Sequence, residues 1–276
     1  MRVALLQVTS GDDPAANLAM LRARMAEARA AGAAFILTPE VSNCVSSSRR
    51  HQLAVLSPEQ SDPVLAGLRE EAARLGVWLL IGSLALRTGD PDGRFANRSF
   101  LIDDAGGIRA RYDKIHMFDV DVSPEETYRE SDGFRPGTRA TLAETPWGRI
   151  GLSICYDIRF PHLYRRLAQA GADILTVPAA FSHVTGAAHW EVLLRARAIE
   201  TGCFVLAPAQ TGTHTASRGK ARRTHGHSLV VAPWGEVLAD GGTAPGIVTV
   251  DLDLSEVAQA RKRVPSLRHD REFDGP

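Results

Sequence analysis

The chain has 276 residues, 44% of them hydrophobic and 6% aromatic, with 32 Lys+Arg balanced by 32 Asp+Glu. That length is ample for a large buried core in one or two domains. The zero net charge excludes the basic footprint of a nucleic-acid binder, and the apolar content excludes a charged, disordered chain.

In chain order, Arg2 to Val8 is a short apolar run that reads as a strand. Ala15 to Ala31 follows with Leu18, Leu21, Met25 and Ala28 at spacings of three and four, the period of an amphipathic helix, stopped by Gly32. Phe35 to Thr38 is a second strand that ends at Pro39-Glu40, and Pro63 to Leu75 is a helix stopped by Gly76. Val77 to Leu86 and Phe95 to Asp103 read as an antiparallel pair. The second half repeats this order: strand Arg149 to Cys155, helix Pro161 to Ala170, strand Ile174 to Val177, helix Ala187 to Thr201, and strands Phe204 to Ala209 and His227 to Ala232. The repetition predicts a duplicated α/β unit with two sheets inside and helices outside. Arg111 to Arg139 fits neither half and reads as a long functional insertion; from Ser255 onward a short basic helix precedes a polar arm.

Cys44, Cys155 and Cys203 are odd in number and scattered, which predicts free thiols in a reducing compartment. The N-terminus lacks the apolar core of a signal peptide, and no stretch reaches the roughly 18 apolar residues of a membrane span. A cytoplasmic protein without membrane or nucleic-acid partners is expected. Phosphate-binding Gly-rich motifs are absent. His225-Gly226-His227 with His214 nearby lacks partners at ligand spacing, so no metal site is expected.

Cys155 ends an apolar strand immediately before a helix that begins at Pro161. That is the setting of a nucleophile elbow, where following backbone N–H groups face a developing oxyanion. A small buried hydrophobe at a strand end is the alternative. Glu40 follows another strand, where poor solvation would raise its pKa toward that of a general base; a solvated loop glutamate is the alternative. Lys114, in an aromatic and apolar stretch, is either a surface lysine or a group that stabilises an oxyanion or depresses a thiol pKa.

Thr38-Pro39-Glu40, Tyr112-x-Lys114-x-His116 and Ile154-Cys155-Tyr156-Asp157, in this order, resemble the Glu-Lys-Cys contexts of the nitrilase superfamily, the carbon–nitrogen hydrolases. The resemblance runs from Leu5-Leu6-Gln7 to Pro233-Trp234-Gly235. Lys114 to Asp121, Tyr128 to Ser131, Thr185-Gly186, His189-Trp190, Leu194 to Glu200 and Gly226 to Ser228 look like its Nit branch of ω-amide amidases, on the deaminated-glutathione or ω-amidase side. The resemblance implies a four-layer αββα sandwich with internal two-fold duplication. It also implies one hydrolase domain over residues 1–276, whose arm from about residue 255 reaches a partner in a homodimer or higher oligomer. By the same resemblance Cys155 is the nucleophile, Glu40 the base, and Lys114 with the Tyr156 N–H the oxyanion holder. Glu130 orients Lys114, and no metal or cofactor takes part.

Arg159 resembles the carboxylate-binding arginine of the superfamily's carbamoylases, with a salt bridge to Asp157 or Glu191 as the alternative. The implied substrate is a small ω-amide bearing a carboxylate, of the deaminated glutathione or α-ketoglutaramate type. An N-carbamoyl amide hydrolase and a non-catalytic scaffold are the rivals. Ser123-Pro124-Glu125-Glu126 departs from the family's Pro-Gly loop and bears on substrate preference.

Overall fold

The structure is a computed structural model that describes residues 1–123, 126–219 and 221–275. The first sheet is built from β1 (Arg2–Gln7), β2 (Phe35–Leu37), β3 (Trp78–Arg87), β4 (Phe95–Ile102) and β5 (Ile108–Asp113), with β16 (Gly246–Asp251) on the edge beside β1. The hairpin of β6 (Asp119–Ser123) and β7 (Glu126–Arg129) stands apart from it. In the second sheet, β8 (Thr141–Thr145) edges β9 (Gly148–Leu152), followed across the sheet by β10 (Ile174–Thr176), β11 (Phe204–Ala207), β14 (Leu229–Val231) and β15 (Val237–Asp240). A second hairpin is formed by β12 (Thr211–His214) and β13 (Arg222–His225).

The two sheets have one pairing plan. In the first, β1, β2 and β3 are parallel, while β16, β4 and β5 run antiparallel to their neighbours. In the second, β9, β10 and β11 are parallel, while β8, β14 and β15 are antiparallel. The duplication expected from the repeated order is therefore present. β8 forms a hairpin with the β9 that follows it, whereas β16, at the end of the second half, crosses to edge the first sheet.

Alternation along the strands creates the layers. Val3, Leu5, Phe35, Leu37 and Leu80 belong to the core shared with Ile150, Leu152 and Ile174 of the other sheet. The intervening Ala4, Leu6, Ile36 and Leu79 pack with Leu21, Met25, Leu65 and Leu68 of helices α1 (Pro14–Ala30) and α3 (Pro63–Leu75). On the other side, α4 (Pro161–Gln169) and α5 (His183–Thr201) supply Leu163, Leu167, Trp190 and Leu194. Asp13 and Asp62 cap α1 and α3 through their carboxylates, and each helix begins with proline, which loses no helical hydrogen bond there. A short helix, α2 (Arg49–Val55), lies between β2 and α3.

Some expectations need correction. Arg111 to Asp113 belongs to β5 of the first sheet, and the stretch that follows holds the β6–β7 hairpin, so only part of the region is an insertion. The helix expected from Ala187 begins one turn earlier, at His183. The C-terminal region forms α6 (Ser255–Arg263), and within the chain Arg165 and Gln169 of α4 bind Asp270 of the arm, while Arg165 also binds the Ser266 carbonyl. Pro124 and Glu125 of the departing loop lie outside the described residues. Among those described, no helix is long and apolar enough to cross a membrane.

Candidate active site

The carboxyl ends of parallel strands are where open α/β sheets present ligand-binding groups. Glu40 follows β2, Cys155 follows β9 and Ala180 follows β10; all three line one cavity of about 870 Å³. Asn97 comes from β4, Lys114 from just beyond β5, and Glu130 from the end of β7. The four residues singled out in sequence as Glu40, Lys114, Glu130 and Cys155 are thus brought together.

Lys114 is 2% exposed and lies between two carboxylates, with Nζ 2.8 Å from Glu40 Oε1 and 3.0 and 2.8 Å from Glu130 Oε1 and Oε2. Asn97 Nδ2 donates to the same two groups, at 2.9 Å to Glu40 and 3.2 Å to Glu130. Backbone donors add to these: Ala180 N–H reaches Glu40 Oε2 at 2.8 Å, and Phe118 N–H shares Glu130 Oε2 with Lys114 at 2.7 Å. Buried charges persist when paired and hydrogen-bonded, and Lys114, Glu40 and Glu130 meet both conditions, although the buried Asn97 Oδ1 has no partner.

The protonation states follow from that geometry, and two differ from the sequence expectation. Burial alone would raise the Glu40 carboxyl; the Lys114 charge and hydrogen bond outweigh it and hold Glu40 below its ordinary value. Burial would depress the Lys114 ammonium, but Glu130 and Glu40 raise it instead. The Cys155 thiol is pushed well up, first by burial and then by the Glu40 charge, which together exceed the lowering effect of Lys114. Lys114 therefore does not create a resting thiolate. The directions of these shifts favour a neutral thiol facing an ionised Glu40, beside an ammonium.

Two backbone positions in this region are strained. Cys155 has φ +48° and Val41, directly after Glu40, has φ +45°, a region costly for any residue with a Cβ and most of all for a β-branched one. Each is held by its neighbours. Cys155 N–H donates to Pro178 O at 3.0 Å, and Val41 N–H to Ser83 Oγ at 2.7 Å. The turn after Cys155, a 3-10 segment over Cys155–Arg159, is fixed from beneath by Asp157. Its fully buried carboxylate accepts from Ile154 N–H, Tyr112 Oη and the His116 backbone N–H, and contacts His116 Nδ1 at 2.7 Å.

Tyr156 lines the cavity in contact with Phe118, their ring centroids 5.1 Å apart. Arg159 does not line it. Neither salt bridge weighed for Arg159 forms: Asp157 is committed as above, and Glu191 pairs with Arg195. Arg159 instead contacts His189 Nδ1 at 3.2 Å and lies near the Tyr156 and Phe181 rings. Arg197, on another face of α5 from Arg195, donates to the Ile158 carbonyl at 2.9 Å and so braces the same turn. Cys44 also lines the cavity, with burial raising its thiol to about 12.

The sequence reading missed Asn97, Arg222, Glu126 and Ser182. Asn97 had a signal, a buried amide inside the apolar strand Phe95–Ile102, whereas the others depend on contacts between distant segments. Glu126 Oε1 accepts from Tyr128 Oη and Ser182 Oγ, both at 2.7 Å, at the cavity wall. Among the described residues, no group of three or more His, Cys, Asp or Glu side chains is arranged to hold a metal ion.

Comparison with known proteins gives the same assignment by another route. The carbon–nitrogen hydrolase family model matches residues 2–262. A deaminated glutathione amidase of Yersinia enterocolitica is 41% identical over 272 residues, covering 98% of this chain and 92% of its own. The crystal structure of the C. elegans NitFhit protein superposes with TM-score 0.88 at 34% identity, over 98% of this chain and 65% of that longer one. An amidase variant from Nesterenkonia sp. AN1, with covalent addition of the acetamide moiety of fluoroacetamide at its active site cysteine, superposes with TM-score 0.76 at 29% identity, over 95% of this chain and 94% of its own. Match and fold agree, and the chain belongs to the carbon–nitrogen hydrolase family.

Proposed function

We propose that this protein hydrolyses the ω-amide of a small carboxylate-bearing substrate, of the deaminated glutathione or α-ketoglutaramate type, through a thioester on Cys155. The observation that carries the proposal is the convergence of Cys155, Glu40 and Lys114 on one cavity, with the buried Glu40 carboxylate bound by Lys114 Nζ at 2.8 Å and by the Ala180 N–H at 2.8 Å. In the first step Sγ attacks the amide carbonyl as Glu40 takes the thiol proton, and the tetrahedral oxyanion is held by the Lys114 ammonium and the Tyr156 N–H. Collapse breaks the C–N bond, and the proton on Glu40 leaves with the amine. Water then adds to the thioester, giving a proton to Glu40; expulsion of Cys155 sulfur and return of that proton regenerate the thiol. Glu130 is the positioning residue, keeping Nζ of Lys114 at the carbonyl. The substrate class is supported by the deaminated glutathione amidases among the similar proteins. Exposed Val192 and Ile199 on α5, with Trp234, support a homo-oligomer; a cytoplasmic location belongs to the same reading.

The test is incubation with α-ketoglutaramate and with deaminated glutathione. Release of α-ketoglutarate with ammonia from the first, or with cysteinylglycine from the second, is expected, and its loss in Cys155→Ala. Turnover that survives in Cys155→Ala, or its absence with both amides in the unmodified enzyme, contradicts the proposal.

A further inference from the structure

We propose that Arg222 selects substrates that carry a free carboxylate on the acyl side of the scissile amide, an inference that rests on the amidase reading above. Arg222 opens β13, lines the cavity and is half-buried. One terminal nitrogen donates to the Ala180 carbonyl at 2.6 Å, while its buried Nε has no hydrogen-bond partner. Among the described residues it has no ion pair with any carboxylate. A guanidinium drawn partly out of water with a buried donor unused is costly, and an anionic ligand supplies what is missing.

Arg222 also lies 5.6 Å from the Tyr128 ring centre, a contact that leaves Nε without an acceptor, and the other cations of the cavity wall are held by oxygen acceptors or exposed. Lys114 is held by two glutamates and Arg129 by Asp121. Arg49 binds the Gly93 and Gly133 carbonyls and stacks 3.9 Å from the Phe95 ring centre, and Arg223 is exposed. The position of Arg222 fixes which end of a substrate it meets. Ala180 accepts from Arg222 through its carbonyl and donates to Glu40 through its N–H, so the guanidinium is one residue removed from the reacting groups. A short acyl chain joined to Cys155 would reach it.

Guanidinium pairs with carboxylate and phosphate alike. Here Glu40, Glu126, Glu130 and Asp132 also line the cavity, which disfavours a dianion and leaves a singly charged carboxylate as the match. Sequence resemblance pointed to Arg159 for this task, but that side chain is not on the cavity wall.

Calorimetric titration of Cys155→Ala with glutaramate and with neutral pentanamide tests the inference without turnover. The carboxylate-bearing amide should bind more tightly. Adding Arg222→Gln should weaken it roughly 10- to 100-fold, the loss of a charge-assisted contact, and leave pentanamide unchanged. Arg222→Lys should restore part of the loss. Equal weakening of both amides, a carboxylate preference that survives Arg222→Gln, or failure of glutaramate to bind would overturn the inference. Failure of the amidase reading shows separately, as absence of product with the unmodified enzyme.

Discussion

Glu40 and Cys155 are both nearly inaccessible to water, yet only the thiol behaves as burial dictates, because Lys114 reverses the effect at the carboxylate. The sequence expectation of a raised glutamate considered desolvation without its partner. The consequence is measurable. A base held below its ordinary value remains ionised as pH falls to about 4.5, the usual carboxylate range, so kcat/KM measured in brief assays should be flat from neutrality to that point and decline only beneath it. Glu40→Gln should lower kcat by about 10² to 10⁴ with the fold retained, since Lys114 keeps Glu130. An acid limb centred near pH 6 or above would show that Glu40 is not held down in this way. Glu40, Lys114 and Cys155 were legible only jointly: each alone left a structural alternative open, and it was the order of their three local contexts that resembled a known family. Arg222 and Glu126 were not legible, because their positions in the cavity depend on where two hairpins come to rest.

Elements around the site are held by close approach and by a buried histidine. Gly82 interrupts the pairing of β3 with β4, and a Cβ there would lie 2.0 Å from Thr38 O, 2.5 Å from Pro39 O and 2.5 Å from Pro178 Cβ. Two of those atoms are backbone immediately before Glu40, so Gly82→Ala should cost roughly 3 kcal/mol and impair turnover; unchanged denaturation and activity would refute the packing argument. His214 ties the β12–β13 hairpin, which carries Arg222, to the first half: Nδ1 lies 2.8 Å from Ser10 O and Nε2 2.7 Å from Thr224 Oγ1. The neutral ring suits both contacts, donating to the carbonyl and accepting from the hydroxyl. Burial lowers its pKa from 6.5 to about 4. On acidification the unfolded chain therefore binds this proton first, and stability present above 6.5 is lost as pH falls toward 4. Between pH 7 and 5 the part of the loss due to His214 should be on the order of 2 kcal/mol, read by urea unfolding as the difference from a variant lacking this ring, since His225 is lowered in the same way. His214→Gln should reduce that slope, and an equal slope in both proteins would contradict the assignment.

At the scale of the whole molecule the two halves are interlocked. The repeated order of strands and helices was readable from apolar periodicity, which is local. The crossing of β16 to the first sheet was not, because pairing of strands at opposite ends of the chain leaves no local pattern, as in Arg2 against Asp251. The site divides along the same seam: Glu40, Asn97, Lys114 and Glu130 come from the first half, and Cys155, Ala180 and Arg222 from the second. Residues 1–138 expressed alone would leave one edge of their sheet without β16 and the inner face of β1 and β2 without its opposing sheet. We expect that fragment to lack dispersed amide resonances and the full chain to unfold in one transition by circular dichroism and by tryptophan fluorescence. A folded fragment, or two separate transitions, would show the halves to be independent.

In the proposed reaction Cys155 carries the acyl group. Acid-quenched enzyme taken during turnover of an ω-amide, digested and weighed by mass spectrometry, tests it most directly. The peptide bearing Cys155 should gain the mass of the acyl portion, while those bearing Cys44 and Cys203 stay unmodified. Turnover without such an adduct, and undiminished in Cys155→Ala, would contradict it.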